Sequence, residues 1–477
     1  MTWHEACSKE DMAVDKTGPV SRGRKAMVFA LSMVFFLSVF SLFYSAAASP
    51  LKRVDVYDPF EVIDEVRRLE SRSLWPGFEP KDIPLGIFDG ERTYLVGFPK
   101  PPAGFVPVDG RPDVLIFDGQ HPSMFGNTCV RLNGVWLASI IPVRRSEFTG
   151  RNISLTEAAA VVIHEKFHVF EAVRHPEWKP NDGVLLSYPL DTRDSLTQRN
   201  QELEALRLAV RYFAPGDIGW AKTAFFLRAQ RTAGLNAALV QYEREIRRLE
   251  GLAEYVEYKA AGKPEAEGRL PLGFAPKAIR EMGYAAGRWT AILLDRFDPG
   301  WEDEIEAGKI EFPEDRLEDI LRGRNIYANF SDAQKAAWSI EVRTALAAKA
   351  AEQKKILEDM NSILGITVVI NARRRPLHVE AFEPYFIEAA GPRLLFHKRR
   401  LSLRNENGEV HVFGPSVLTE TDERGRVIKV VIPGLSKRIP SVRARMTLKY
   451  QSDGLALSLK SYRLRTRGAY GFLIDLR

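Results

Sequence analysis

The chain predicts an α+β fold: an N-terminal membrane helix, a small antiparallel sheet joined to a mainly helical domain, and a C-terminal all-β domain. Three observations carry this expectation. Met27 to Ala48, MVFALSMVFFLSVFSLFYSAAA, is a charge-free apolar run of bilayer length. From Ser154 to about Met360 the apolar residues recur at helical spacing. Short alternating or β-branched runs, split by turn dipeptides, fill residues 80–145 and the chain beyond Gly365.

Arg22, Arg24 and Lys25 stand directly before the apolar run. The positive-inside rule keeps that flank cytoplasmic, so residues 1–26 are expected to be a cytoplasmic tail and everything after Ser49 extracytoplasmic. Ala46, Ala47 and Ala48 also resemble a signal-peptidase site. The expectation is therefore a membrane-anchored protein at the periplasmic side or cell surface, with a cleaved signal peptide and a secreted product as the alternative. The apolar run separates the two cysteines, Cys7 and Cys129, so they cannot pair within one mature chain.

A length of 477 residues exceeds one ordinary core, and 45% hydrophobic with 27% charged residues is a folding composition. The net charge of +6 is uneven: residues 361–477 carry 21 Lys and Arg against 10 Asp and Glu, which leaves the remainder acidic. A basic C-terminal surface suits an anionic envelope polymer or lipid head groups, although a plain solvated face is the simpler account. No Gly-rich phosphate loop, Cys-x-x-Cys pair or nucleophile elbow occurs, and nucleic acid is not an expected partner.

Asp58 to Arg72 places Val62, Ile63, Val66 and Leu69 on one helical face, and Trp75-Pro76-Gly77 ends it. IPLGIF and TYLVGF flank Asp89-Gly90, while TCVRL and VWLASIIPV flank Asn133-Gly134; both dipeptides suit the positive φ of tight hairpin turns. Helices interrupted near Pro176–Pro189 and Gly262–Pro276 follow, then a long one from Ala333. The eight runs beyond Gly365 suggest a sandwich or open barrel at 365–477.

HEKFH, residues 164–168, lies inside the first of those helices, because Ser154-Leu155-Thr156-Glu157 fits the S-x-x-E capping box. His164 and His168 then stand one turn apart on one face and can share a metal ion. Glu165 points a quarter turn away, within reach of a water on that metal. A catalytic zinc needs a third ligand. The H-E-x-x-H-x-x-G-x-x-H extension fails, since Glu171 and Arg174 occupy its Gly and His positions and His175 comes one residue late. RRLEGLAEYVEYKAAGKP, from Arg247 to Pro264, offers Glu250, Glu254 and Glu257 on one helix face, and Glu204 on an earlier helix is a rival.

HEKFH followed by EGLAEYVE resembles the gluzincin branch of the zincin metallopeptidases, in particular the M1-like aminopeptidases. The likeness is confined to motifs between about 155 and 300. It implies a zincin-like domain over 50–364, Zn2+ held by His164, His168 and Glu250, Glu165 as general base, and Glu257 as a carboxylate behind the ligands. Gly283-Tyr284-Ala285-Ala286-Gly287 is similar to the Y-x-x-G helix of those enzymes, which implies Tyr284 as the oxyanion donor. The distance from His168 to Glu250 is much longer than in those aminopeptidases, and their G-x-M-E-N sequence is absent, so exopeptidase action is not implied.

The resulting expectation is a zinc-dependent metallopeptidase that hydrolyses peptide or protein substrates by metal-activated water. An extended substrate is expected to add a strand near Val135–Pro142. The alternative is a non-catalytic, peptidase-derived envelope scaffold with a structural metal site.

Overall fold

A computed structural model describes residues 55–124, 126–145, 150–214, 218–262, 272–414, 416–437, 447–452, 454–460, 462–466 and 471–476. Contacts sort the described chain into two compact units: residues up to Pro176 with Val256–Ala261, and Glu177–Tyr255 with the chain from Gly262 onward.

The first unit opens with helix α1 (Pro59–Glu70). Asp58 caps it by accepting from the Phe60 N–H at 2.8 Å, and Val62, Ile63, Val66 and Leu69 form its buried face. Six strands follow: β1 (Leu85–Phe88), β2 (Arg92–Val96), β3 (Val106–Val108), β4 (Arg111–Asp118), β5 (Thr128–Leu132) and β6 (Val135–Ile140). Both dipeptides turn hairpins. Gly90 has φ +95°, and Asn133 and Gly134 have φ 49° and 82°, the left-handed pair that a two-residue loop between Leu132 and Val135 requires. The sheet order is β3-β4-β2-β1-β6-β5, and β1 runs parallel to β6 with Leu85 opposite Ala138. Cys129 is buried on β5. Helix α2 (Leu155–Arg174) packs on α1, β5 and β6.

The second unit holds α3 (Arg193–Arg211), α4 (Gly219–Thr232), most of α5 (Ala237–Ala261), α6 (Lys277–Phe297), α7 (Trp301–Glu306), α8 (Pro313–Leu321) and α9 (Asp332–Ser362). Its strands make one seven-stranded and one five-stranded sheet. Alternation is clean where the sequence alternates: Ile366, Val368 and Ile370 are buried and their neighbours half-buried. Val368, Ile370, Val410, Val412 and Leu457 share a core with Leu185, Tyr242, Ile246 and Ile279 from the helical stretch. These strands therefore bury their apolar face partly against helices, as two-layer packing demands.

The expected fold class needs correcting. The molecule is mixed helix and sheet, 44% helix and 26% strand, and among the described residues no helix is long and apolar enough to cross a membrane. Met27–Ala48, on which the membrane helix was placed, lies outside the described residues. Neither larger sheet is purely antiparallel: β1 pairs parallel with β6, and Gly471–Leu476 pairs parallel with Ile366–Asn371. Turn dipeptides announce sequential antiparallel pairs, whereas a parallel pair joins strands distant in the chain and leaves no local signal.

Candidate metal centre

Helix α2 begins at the capping box read from the sequence: the Ser154 Oγ accepts from the Glu157 N–H at 3.2 Å, and the Glu157 carboxylate accepts from the Ser154 N–H at 2.8 Å. That start places HEKFH in the helix middle. Its two intervening letters lock the helix rotation. Phe167 is fully buried edge-on against Trp75 and Phe78, with ring centroids 5.4 and 5.2 Å away. Lys166 donates to Glu70 at 2.5 Å and to the Pro80 carbonyl at 2.9 Å; burial pushes its ammonium pKa down, and Glu70 opposes that shift.

With those contacts on one side, the histidines take the other. Their rings are 4.6 Å apart at 82°, and both are buried. Each Nδ1 meets a carboxylate: His168 meets Glu171 Oε2 at 2.7 Å, and His164 meets Glu257 Oε2 at 3.2 Å. A carboxylate accepting from Nδ1–H selects the tautomer whose lone pair is on Nε2, the form that binds a metal. Glu165, between them, is 7% exposed.

Glu257 lies in the last turns of α5, and the same unbroken helix carries Glu250 two turns earlier. At this level α5 and α6 touch backbone to backbone. A Cβ on Gly251 would meet the Gly287 Cα at 2.4 Å, and one on Gly287 would meet the Arg247 carbonyl oxygen at 2.1 Å. Only glycine permits that approach. It sets an α6 side chain on Glu250: Arg280 forms a buried ion pair with it. Arg280 also donates to Asp182 at 3.0 Å, and Asp182 accepts from the Tyr242 hydroxyl at 2.9 Å. Burial first, then the charge of Glu250, holds the Tyr284 phenol well above its ordinary pKa, so it stays a proton donor.

His164, His168 and Glu250 each offer one ligand atom, and these atoms lie within 4.8 Å of one another. Ligands of tetrahedral zinc at about 2.1 Å are separated by about 3.4 Å. Side-chain adjustment would be needed to bring the three atoms onto one ion. Two neutral imidazoles and a carboxylate also form the donor set zinc favours. Glu204, Glu254 and Glu250 all meet an arginine, but among the described residues only Glu250 falls in the grouping with the histidines. Glu204 is bound at both oxygens by Arg207 at 2.7 Å, and Glu254 faces Arg288 at 3.4 Å. The three carboxylates on the α5 face thus meet three different groups, Arg280, Arg288 and His164, which relieves the repulsion their spacing implies.

Sequence reasoning missed Glu171, Arg280 and Asp182. Glu171 could have been found: it stands three residues after His168, within reach on a helix. Arg280 likewise precedes Tyr284 by one turn, whereas Asp182 has no local signal. The expected docking of a substrate strand near Val135–Pro142 needs correction, because β6 is flanked by β1 and β5 and its hydrogen-bonding edges are already used. No family model, curated protein or solved structure matches the chain.

Proposed function

We propose that the protein is a zinc-dependent metallopeptidase. The observation that carries this reading is the grouping of His164, His168 and Glu250, with His168 hydrogen-bonded through Nδ1 to Glu171 and His164 Nδ1 3.2 Å from Glu257. His164, His168 and Glu250 would hold the ion. Bound zinc supplies Lewis acidity, activating a water and polarising the scissile carbonyl. Glu165 accepts the proton from the attacking water and returns it to the leaving amine. The Tyr284 hydroxyl, kept a neutral donor by burial, would donate to the oxyanion as charge develops there. Glu171 and Glu257 keep the imidazoles oriented throughout.

Metal analysis and digestion of fluorescent casein by the full-length protein test the reading. Wild type is expected to bind about one zinc and cleave. Glu165→Gln should keep the metal while hydrolysis falls by about 10²–10⁴. Unchanged cleavage by that variant removes Glu165 from the mechanism. Bound zinc with no cleavage by wild type favours a structural metal site and a scaffold.

A further inference from the structure

The loop 322–331, between α8 and α9, is tied down at its base and apolar at its tip. The Ala328 N–H donates to the Gly219 carbonyl at 3.2 Å, and the Thr223 hydroxyl donates to the Ala328 carbonyl at 2.7 Å. Lys222 donates to the Leu321 carbonyl at 3.2 Å, and Phe330 is buried with its ring centroid 4.8 Å from that of Trp220 and 4.6 Å from that of Trp338. On this fixed base Ile326 is 57% exposed and Tyr327 46% exposed. The Tyr327 ring meets Phe226 of α4, itself 50% exposed, edge-on at 5.9 Å. Single exposed apolar side chains are ordinary, but three at one loop tip and the helix beside it form a patch of the kind that marks an interaction surface.

The charges around the patch select its occupant. Neither α4 nor residues 320–331 contain an Asp or a Glu. Arg322 is paired with Asp319 of α8, whereas exposed Arg324 and half-buried Lys222 form no ion pair among the described residues. The Lys222 ammonium lies 5.6 Å from the Tyr327 ring centroid, so cation and aromatic ring share one surface. Ile326 and Phe226 gain by entering an apolar medium, the phenol by sitting at its wet boundary, and the cations by meeting anions just outside it. A bilayer surface with acidic head groups offers all three within a few ångströms, which a purely apolar protein groove does not. We propose that residues 322–327 and Phe226 form a peripheral docking surface for anionic lipid head groups. Ile326, Tyr327 and Phe226 enter the interface, and Lys222, Arg322 and Arg324 meet the phosphates. This surface is separate from the metal centre and does not depend on the hydrolytic reading.

To separate the loop from the apolar run Met27–Ala48, the readout is placed on the loop itself. Full-length protein with Cys7→Ser and Asn325→Cys is labelled with a nitrobenzoxadiazole dye, Cys129 being buried. Titration with vesicles of phosphatidylglycerol and phosphatidylcholine in equal parts should shift the emission to the blue and saturate. Arg324→Glu should raise the lipid concentration needed by about tenfold or more. Phe226→Ser/Ile326→Ser should raise it by at least about tenfold, with circular dichroism unchanged in both variants. Salt at about 1 M, which screens charges beyond about 3 Å, should weaken the wild-type response. An unmoved dye on protein that sediments with the vesicles overturns the proposal, as does an equal shift on phosphatidylcholine alone. So does a response that neither variant alters, or a shift that follows protein concentration without lipid, which assigns the patch to a second copy of the chain.

Discussion

Gly287→Ala sets two effects of opposite sign against each other. By propensity alone, alanine inside α6 stabilises by about 1 kcal/mol. The added Cβ, however, would lie 2.1 Å from the Arg247 carbonyl oxygen and 2.6 Å from the Gly251 Cα. The first distance is about 1.3 Å short of ordinary contact. Both obstacles are α5 backbone, so no rotamer relieves the clash and one helix must move. Overpacking of this kind costs about 1–3 kcal/mol, and a backbone obstacle belongs at the upper end. The net expectation is a loss of about 2 kcal/mol. Displacement carries Glu250 and Tyr284 relative to each other by about 1 Å, enough to lower kcat by about 10². Urea unfolding, zinc affinity by chelator competition and casein cleavage give the three readouts. Gly283→Ala is the milder comparison, because its Cβ meets first the Ile246 Cγ2 methyl at 2.7 Å, a side-chain atom rather than backbone, and its losses should be smaller. A Gly287→Ala protein more stable than wild type, with unaltered zinc affinity, would refute the close helix contact and the role assigned to it.

Two further expectations concern Glu257 and His397. Glu257→Ala removes the carboxylate 3.2 Å from the His164 Nδ1, so zinc affinity should fall by about 10–100-fold while the helices stay folded; equal affinity in the competition assay shows that His164 needs no such support. His397, 2% exposed and in contact with the Thr419 hydroxyl at 2.9 Å, has its pKa pushed by burial from 6.5 down to about 3. Above pH 6.5 it is neutral in both folded and unfolded chains and contributes no pH dependence. Between pH 6.5 and about 3 only the unfolded chain takes up the proton, so stability should fall by about 1.4 kcal/mol per pH unit. At pH 5 the loss is about 2 kcal/mol, and His397→Gln should lack it. Stability curves that run parallel for the two proteins between pH 7.5 and 5 would contradict the burial argument.

Features that depend on a single turn of chain were legible from the residues. Ser154 and Glu157 form their capping box because each satisfies the other's backbone, and Asn133-Gly134 turns a hairpin because that dipeptide tolerates positive φ. The shared face of His164 and His168 follows from helix pitch alone. Glu250, Glu257 and Tyr284 were singled out only through resemblance, since spacing left Glu254 and Glu204 as equals.

Tertiary structure gives those carboxylates different neighbours. Glu204 goes to Arg207, Glu254 to Arg288 and Glu257 to the His164 Nδ1, leaving Glu250 in the grouping with the two imidazoles. It also placed β6 between two strands, and brought Arg280 to Glu250 and Asp182 to Arg280. The physical reason is range. Turn and cap chemistry acts within a few residues, whereas the partner of a buried charge is whichever group long-range packing delivers, here across 30 residues from Glu250 to Arg280.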